Sequence, residues 1–77
     1  MHNVKVYSTD SCPYCVFAKD FLRENNVPFK DFNVGVDRGA AKEMITKSGQ
    51  MGVPVIEIDG NMVVGFDKYR IMSLLGL

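Results

Sequence analysis

The chain carries two cysteines, Cys12 and Cys15, and they stand three residues apart. In a polypeptide of 77 residues this spacing restricts the fold sharply. A domain so small buries only roughly 60% of its unfolded surface, and secreted scaffolds of that size usually add about two to four disulfides. One bridge closing so short a loop constrains the unfolded chain very little. The fold must therefore rest on a single apolar core, and the cysteine pair is better explained by chemistry than by stapling. The expectation is one domain spanning residues 1–77, with its reaction on the surface of that unit.

Charge and hydropathy exclude several classes of function. Nine basic residues balance nine acidic ones and are scattered along the chain, whereas a nucleic-acid partner calls for an excess of Lys and Arg gathered on one face. No apolar run approaches the roughly 18 residues of a membrane span, and Met-His-Asn is not the basic head of a signal peptide. A soluble, cytoplasmic, monomeric protein is expected, without nucleic-acid or membrane partners.

The pattern of residues predicts the element order β-α-β-α-β-β-α. Val4-Lys5-Val6-Tyr7 reads as a strand followed by the turn cluster Ser8–Ser11. From Cys15 to Asn25 apolar positions recur at spacings of three and four (Cys15, Ala18, Leu22), with Lys19, Asp20, Arg23 and Glu24 on the wet face. Ser11 is the expected N-cap and Pro13 fits the first turn. A second strand over 29–34, reached through that helix, should run parallel to the first. Asp37 should cap a helix whose Ala41, Met44, Ile45 and Ser48 share a face, with Gly49 closing it. Val55–Ile58 and Met62–Val64 flank Asp59-Gly60-Asn61, a hairpin signal. Asp67 should cap the last helix, with Phe66 and Ile71 forming a hydrophobic staple and Ile71, Leu74 and Leu75 facing the core. Phe66 also reads as part of an exposed apolar docking patch. His2, near the terminus, is expected to be a solvated side chain.

Cys12-Pro13-Tyr14-Cys15 thus lies between a strand and a helix, where C-x-x-C reads as a dithiol redox motif. A four-ligand zinc site would need two further ligands, and His2 is the lone histidine, so no metal is expected. Unpaired N–H groups and the dipole at a helix N-terminus favour a thiolate at Cys12. Cys15, one turn further in, can reach it to form a disulfide.

These residues, with Gly52-Val53-Pro54 opening a strand and Gly65-Phe66-Asp67 entering a helix, resemble the glutaredoxin family over nearly the whole chain. The resemblance implies a thioredoxin fold with a four-stranded mixed sheet in the order 2-1-3-4, its third strand antiparallel to the first, and about three helices. It implies that Cys12 is the nucleophile, Cys15 the resolving thiol, and Pro13 and Tyr14 part of the flank of a glutathione groove. Val53 would pair its backbone with the cysteinyl part of glutathione, ahead of a cis Pro54 that leaves those groups open to strand-like addition. Gln50 would contact the glycyl carboxylate. Asp67, beside Gly65 and Phe66, would receive the γ-glutamyl ammonium.

Two departures from the family pattern matter, the first for thiolate stabilisation and the second for the electron donor. Thr9 stands where the family usually has a Lys or Arg, with Lys47 and Arg38 as candidate replacements in space. Gly65-Phe66-Asp67 and the short C-terminus resemble redoxins that serve ribonucleotide reductase and draw on thioredoxin reductase. The expected activity is a glutathione-dependent thiol–disulfide oxidoreductase acting on protein disulfides and glutathione mixed disulfides. Glutathione would be a co-substrate, with no tightly bound cofactor. The alternatives are a carrier reduced by thioredoxin reductase and, disfavoured by Pro13, a dimer holding a [2Fe–2S] cluster through Cys12.

Overall fold

Alternating β-branched residues make Val4–Ser8 the first strand, β1, and the computed structural model, which describes residues 2–77, places it at the centre of the sheet. Helix α1 (Pro13–Glu24) leads to β2 (Lys30–Asn33), then α2 (Arg38–Ser48), the hairpin β3 (Val55–Ile58) and β4 (Asn61–Val64), and α3 (Lys68–Leu75). The sheet order is β2-β1-β3-β4. β1 pairs in parallel with β2, Val6 opposite Asp31, and antiparallel with β3, Val6 opposite Ile56. β4 is antiparallel to β3. This is the mixed four-stranded sheet with three helices that the sequence predicts. The helical crossover supplies the length a parallel pair requires.

Each face of the sheet has its own apolar layer. Val4, Val6, Ile56, Ile58 and Val63 pack with Ala18 and Leu22 of α1 and Ile71 and Leu75 of α3. Tyr7 and Val55 pack with Ala40 and Met44 of α2 on the other face. All four residues of β3 are buried, as expected for a strand covered on both sides.

Several boundaries differ from the sequence reading. α1 starts at Pro13, and its N-cap is Cys12 rather than Ser11, because the Cys12 sulfur accepts a hydrogen bond from the Cys15 amide N–H. The helix ends through Asn25, followed by Asn26 at φ 57, the left-handed position that Asn tolerates. β2 is shorter than 29–34. In α2 Met44 of the predicted face is buried, with Ala41 and Ser48 half-buried, but Ile45 is exposed and Ala40 is buried in its place, so the inward face is turned toward Ala40. Asp59 and Gly60 alone make the hairpin turn, with φ of 50 and 87, and Asn61 joins β4 opposite Ile58. Positive φ at both turn residues matches the twist of the flanking strands.

His2 is not a free side chain. Its Nδ1 lies 2.5 Å from Asp59 and its Nε2 3.1 Å from the Leu75 carbonyl oxygen, so it ties the strand entry to the hairpin turn and the end of α3.

Beneath α2 the charged Glu57 is buried to 6% exposure and meets Lys47 Nζ at 2.9 Å. The same ammonium reaches Glu43 at 2.9 Å, and the Tyr7 hydroxyl donates to Glu43 at 3.0 Å. The Lys47 and Tyr7 hydrogen bonds hold the Glu43 carboxyl down at about 2. Burial, then the Glu43 carboxylate, pushes the Tyr7 phenol up to about 12. A depressed carboxyl stabilises the fold above its ordinary range and loses that contribution as pH falls toward about 2; a raised phenol contributes below pH 10.0 and loses its contribution as pH rises through about 12. Urea midpoints measured from pH 7 to pH 2 should therefore fall less steeply for Glu43→Gln than for the wild type. Tyr7→Phe should flatten the decline above pH 10.

Candidate functional site

The strand directions bring the C-terminal ends of β1, β2 and β4 and the N-terminal end of β3 to one edge of the sheet. The segments around residues 9–12, 50–54 and 65–67 therefore meet there. Cys12 and Cys15 are joined in a disulfide, with their Cα atoms 5.2 Å apart. Their environments differ. Cys12, just ahead of α1, is half-buried, whereas Cys15 is fully buried inside its first turn. The Cys15 N–H donates to Cys12 Sγ at 3.1 Å. An amide aimed at a sulfur on a helix N-terminus favours negative charge on that sulfur once the disulfide is opened. The arrangement thus offers one accessible, charge-stabilised sulfur and one shielded sulfur within reach of it.

The other residues singled out in the sequence occupy the same edge. The Val53–Pro54 peptide bond is cis, Pro54 is buried, and Val53 is half-buried. Among the described residues the Val53 amide and carbonyl have no backbone hydrogen-bond partner, while the Pro54 carbonyl accepts the Gly65 amide at 2.8 Å. Gly65 has φ 79, a conformation that costs a non-glycine residue. That one bond fixes the loop entering α3 against the loop before β3. Asp67 caps α3, its Oδ1 accepting the Arg70 amide at 3.2 Å. Phe66 is half-buried against the cluster containing Ile71 and lies 5.9 Å from the Phe21 ring, as a staple residue should. Gln50 is held through its backbone by Ser48. Tyr14 is 64% exposed at the head of α1, next to the exposed Pro13.

Lys47 does not replace the cation missing at Thr9, because its ammonium is committed to Glu43 and Glu57. Arg38 is exposed at the start of α2, with no ion pair among the described residues. Lys19, which spacing along α1 places on the wet face, is instead held against the sheet. It lies one turn beyond Cys15, with its side chain 17% exposed, and pairs with Asp31 at 2.9 Å. Ser8, buried at the end of β1, donates to the same carboxylate at 2.8 Å. The pairing with Asp31 depends on strand register, which spacing along one helix does not reveal.

A cleft at the other edge, lined by His2, Asn3, Val4, Pro28, Phe29 and Lys30, lies at the start of β1 and β2, away from the sulfurs. Among the described residues no group of three or more His, Cys, Asp or Glu is placed to hold a metal ion.

Comparison with known proteins agrees with this geometry. The glutaredoxin family model matches residues 4–63. The chain belongs to the glutaredoxin family. It is 47% identical over 72 residues to a glutaredoxin-like 8.6 kDa protein from a rubredoxin operon of Clostridium pasteurianum, covering 94% of this chain and 96% of that one. It is 37% identical over 76 residues to glutaredoxin 3 of Escherichia coli K12, covering 99% and 92%. Among solved structures, a thioredoxin-like protein superposes with a TM-score of 0.92 at 34% identity, over 99% of this chain and 97% of the other. A glutaredoxin of Archaeoglobus fulgidus, at 22% identity and a TM-score of 0.87 over 97% and 87%, shares the fold. Family membership and the paired sulfurs make this glutaredoxin a thiol–disulfide redox protein.

The unequal exposure of the sulfurs has a direct consequence. In the reduced protein, iodoacetamide should alkylate Cys12 at least about ten times faster than Cys15, as read by peptide mass mapping at pH 7.

Proposed function

We propose that this glutaredoxin is a glutathione-dependent oxidoreductase that reduces protein disulfides and glutathione mixed disulfides. The observation that carries the reading is the half-buried Cys12, its sulfur accepting the Cys15 amide at 3.1 Å, on the same sheet edge as a Val53 backbone with no backbone partner among the described residues. A peptide laid along Val53 would gain the hydrogen bonds of an added strand and bring its own sulfur toward Cys12. The small tripeptide fits a site built on the surface of so short a chain.

In the reaction, the Cys12 thiolate attacks one sulfur of the substrate disulfide, and the other sulfur leaves as a thiolate that takes up a proton. The Cys15 thiol then loses its proton and attacks Cys12 Sγ. This releases the second substrate thiol and leaves the Cys12–Cys15 disulfide. One glutathione opens that bond by joining Cys12, and a second removes it as glutathione disulfide, restoring both thiols. For a glutathionylated substrate, Cys12 alone takes the glutathione, and a second glutathione releases it. Tyr14 with Pro13, Gln50, Val53 with Pro54, and Gly65-Phe66-Asp67 form the groove. In Asp67 one carboxylate oxygen caps α3 and the other remains for an ammonium. The cytoplasm, where thiols are kept reduced, suits this cycle.

The Gly65-Phe66-Asp67 departure favours a second reading, in which the same dithiol carries electrons from thioredoxin reductase to an enzyme such as ribonucleotide reductase. A donor assay separates the two. Oxidised protein should be reduced by glutathione with glutathione reductase and NADPH, and should deglutathionylate a peptide. If only thioredoxin reductase supports turnover, the glutathione reading is wrong. Cys15→Ser should keep deglutathionylation within about threefold of wild type while losing protein-disulfide reduction. Cys12→Ser should lose both by at least about a thousandfold.

A further inference from the structure

The fold leaves one face of α1 without a partner. Tyr14, Phe17 and Phe21 follow one another at spacings of three and four, which places them on one stripe of the helix. Tyr14 and Phe17 are 64% and 53% exposed, and their rings meet edge to face at 5.9 Å. Phe21, half-buried below them, lies 5.9 Å from Phe66, and Lys68 Nζ stands 5.5 Å from the Phe21 ring centre. Two aromatic pairs thus lie along the stripe between the head of α1, which carries the redox disulfide, and a cation. Isolated exposed apolar residues are ordinary, but aromatic pairs aligned on one stripe that starts next to the reactive cysteines make a surface of the kind that partners cover. The glutathione groove makes no use of Phe17, Phe21 or Lys68.

Charge indicates what covers the track. Lys68 has no carboxylate partner among the described residues. Asp67, its neighbour along the chain, turns one oxygen to the cap of α3 and makes no ion pair with Lys68, and Asp20 pairs with Arg23. An ammonium fixed over a ring at the foot of an apolar track calls for a carboxylate from the occupant. The redox disulfide at the head of the track calls for an occupant that carries a disulfide. Seven residues of helix separate Tyr14 from Phe21, about 10 Å, which about three residues of extended chain would cover.

We propose that this stripe is the docking track for protein disulfide substrates in which an extended segment next to the disulfide carries an aromatic residue and, about three residues away, a carboxylate. The proposal rests on the protein-disulfide reading of Cys12 and Cys15 and names the substrate class. The aromatic side chain packs at the head of the stripe, on Tyr14 and Phe17, while the carboxylate meets Lys68 at its foot.

The test uses the full chain, reduced with dithiothreitol and freed of it, in single-turnover reactions without glutathione. Two synthetic cyclic-disulfide peptides differ only in the tail after the second cysteine, one with Phe and Glu and one with Ser and Lys. The wild type should reduce the Phe/Glu peptide at least about ten times faster. Phe17→Ser should bring the ratio within about twofold, and Lys68→Glu should abolish it or shift it toward the lysine tail. Both variants should retain wild-type rates on hydroxyethyl disulfide, which is too small to reach the track. Equal wild-type rates on the two peptides, or a preference that survives both substitutions, would overturn the proposal. Failure of the wild type to reduce hydroxyethyl disulfide would instead count against the redox reading beneath it.

Discussion

The hydrogen bond from the Cys15 amide to Cys12 Sγ, at 3.1 Å, is the contact on which the site depends. It makes a cysteine the N-cap of α1, a position usually filled by Ser, Thr, Asp or Asn. One of the orphan amides of the helix is satisfied by the sulfur that does the chemistry. The cap therefore starts the helix, orients the sulfur outward and supplies partial positive charge beside it. Cys15 falls one turn inside the helix, where the sheet buries it. Unequal exposure of two identical side chains, which separates an attacking thiol from a resolving one, follows from that single capping choice.

The remainder of the fold holds that helix end still. Layers on both faces of the sheet bury β3 completely, so the Val53–Pro54 segment that precedes it is anchored at its C-terminal side. The Gly65-to-Pro54 hydrogen bond then locks the third loop to the second. In a chain this short, rigidity at the site comes from the sheet edge itself, where three loops meet, rather than from a covering domain. The polar cluster of Tyr7, Glu43, Lys47 and Glu57 fastens α2 on the other face. It takes up a buried carboxylate that would otherwise be costly.

Much of this was legible in the residues. Periodicity placed every element in the right order, because each helix shows apolar spacing of three and four and the hairpin carries Asp59-Gly60. The helical crossover gave the parallel β1–β2 pairing and the hairpin the antiparallel β3–β4 pairing, while the sheet order and the antiparallel β1–β3 pairing followed from the resemblance carried by Cys12–Cys15, Val53-Pro54 and Gly65–Asp67. What was not legible depends on contacts across the sheet. Ser11 is the better N-cap by residue preference, yet Cys12 takes that role because its sulfur sits opposite the Cys15 amide. Lys19 looked solvated because its helix spacing alone does not reveal Asp31 on β2. His2 looked frayed because its partners, Asp59 and the Leu75 carbonyl, are more than fifty residues away along the chain. Lys47 was a reasonable candidate for the missing cation until register brought Glu57 beneath it.

The central claim is that the helix start stabilises negative charge on Cys12 and not on Cys15. Thiolate absorbance at 240 nm, recorded at pH 7 as the difference between reduced and oxidised protein, tests it most directly when wild type, Cys15→Ser and Cys12→Ser are compared. The account predicts a signal in the wild type that Cys15→Ser retains and Cys12→Ser loses. A signal that persists in Cys12→Ser, or disappears in Cys15→Ser, would contradict it.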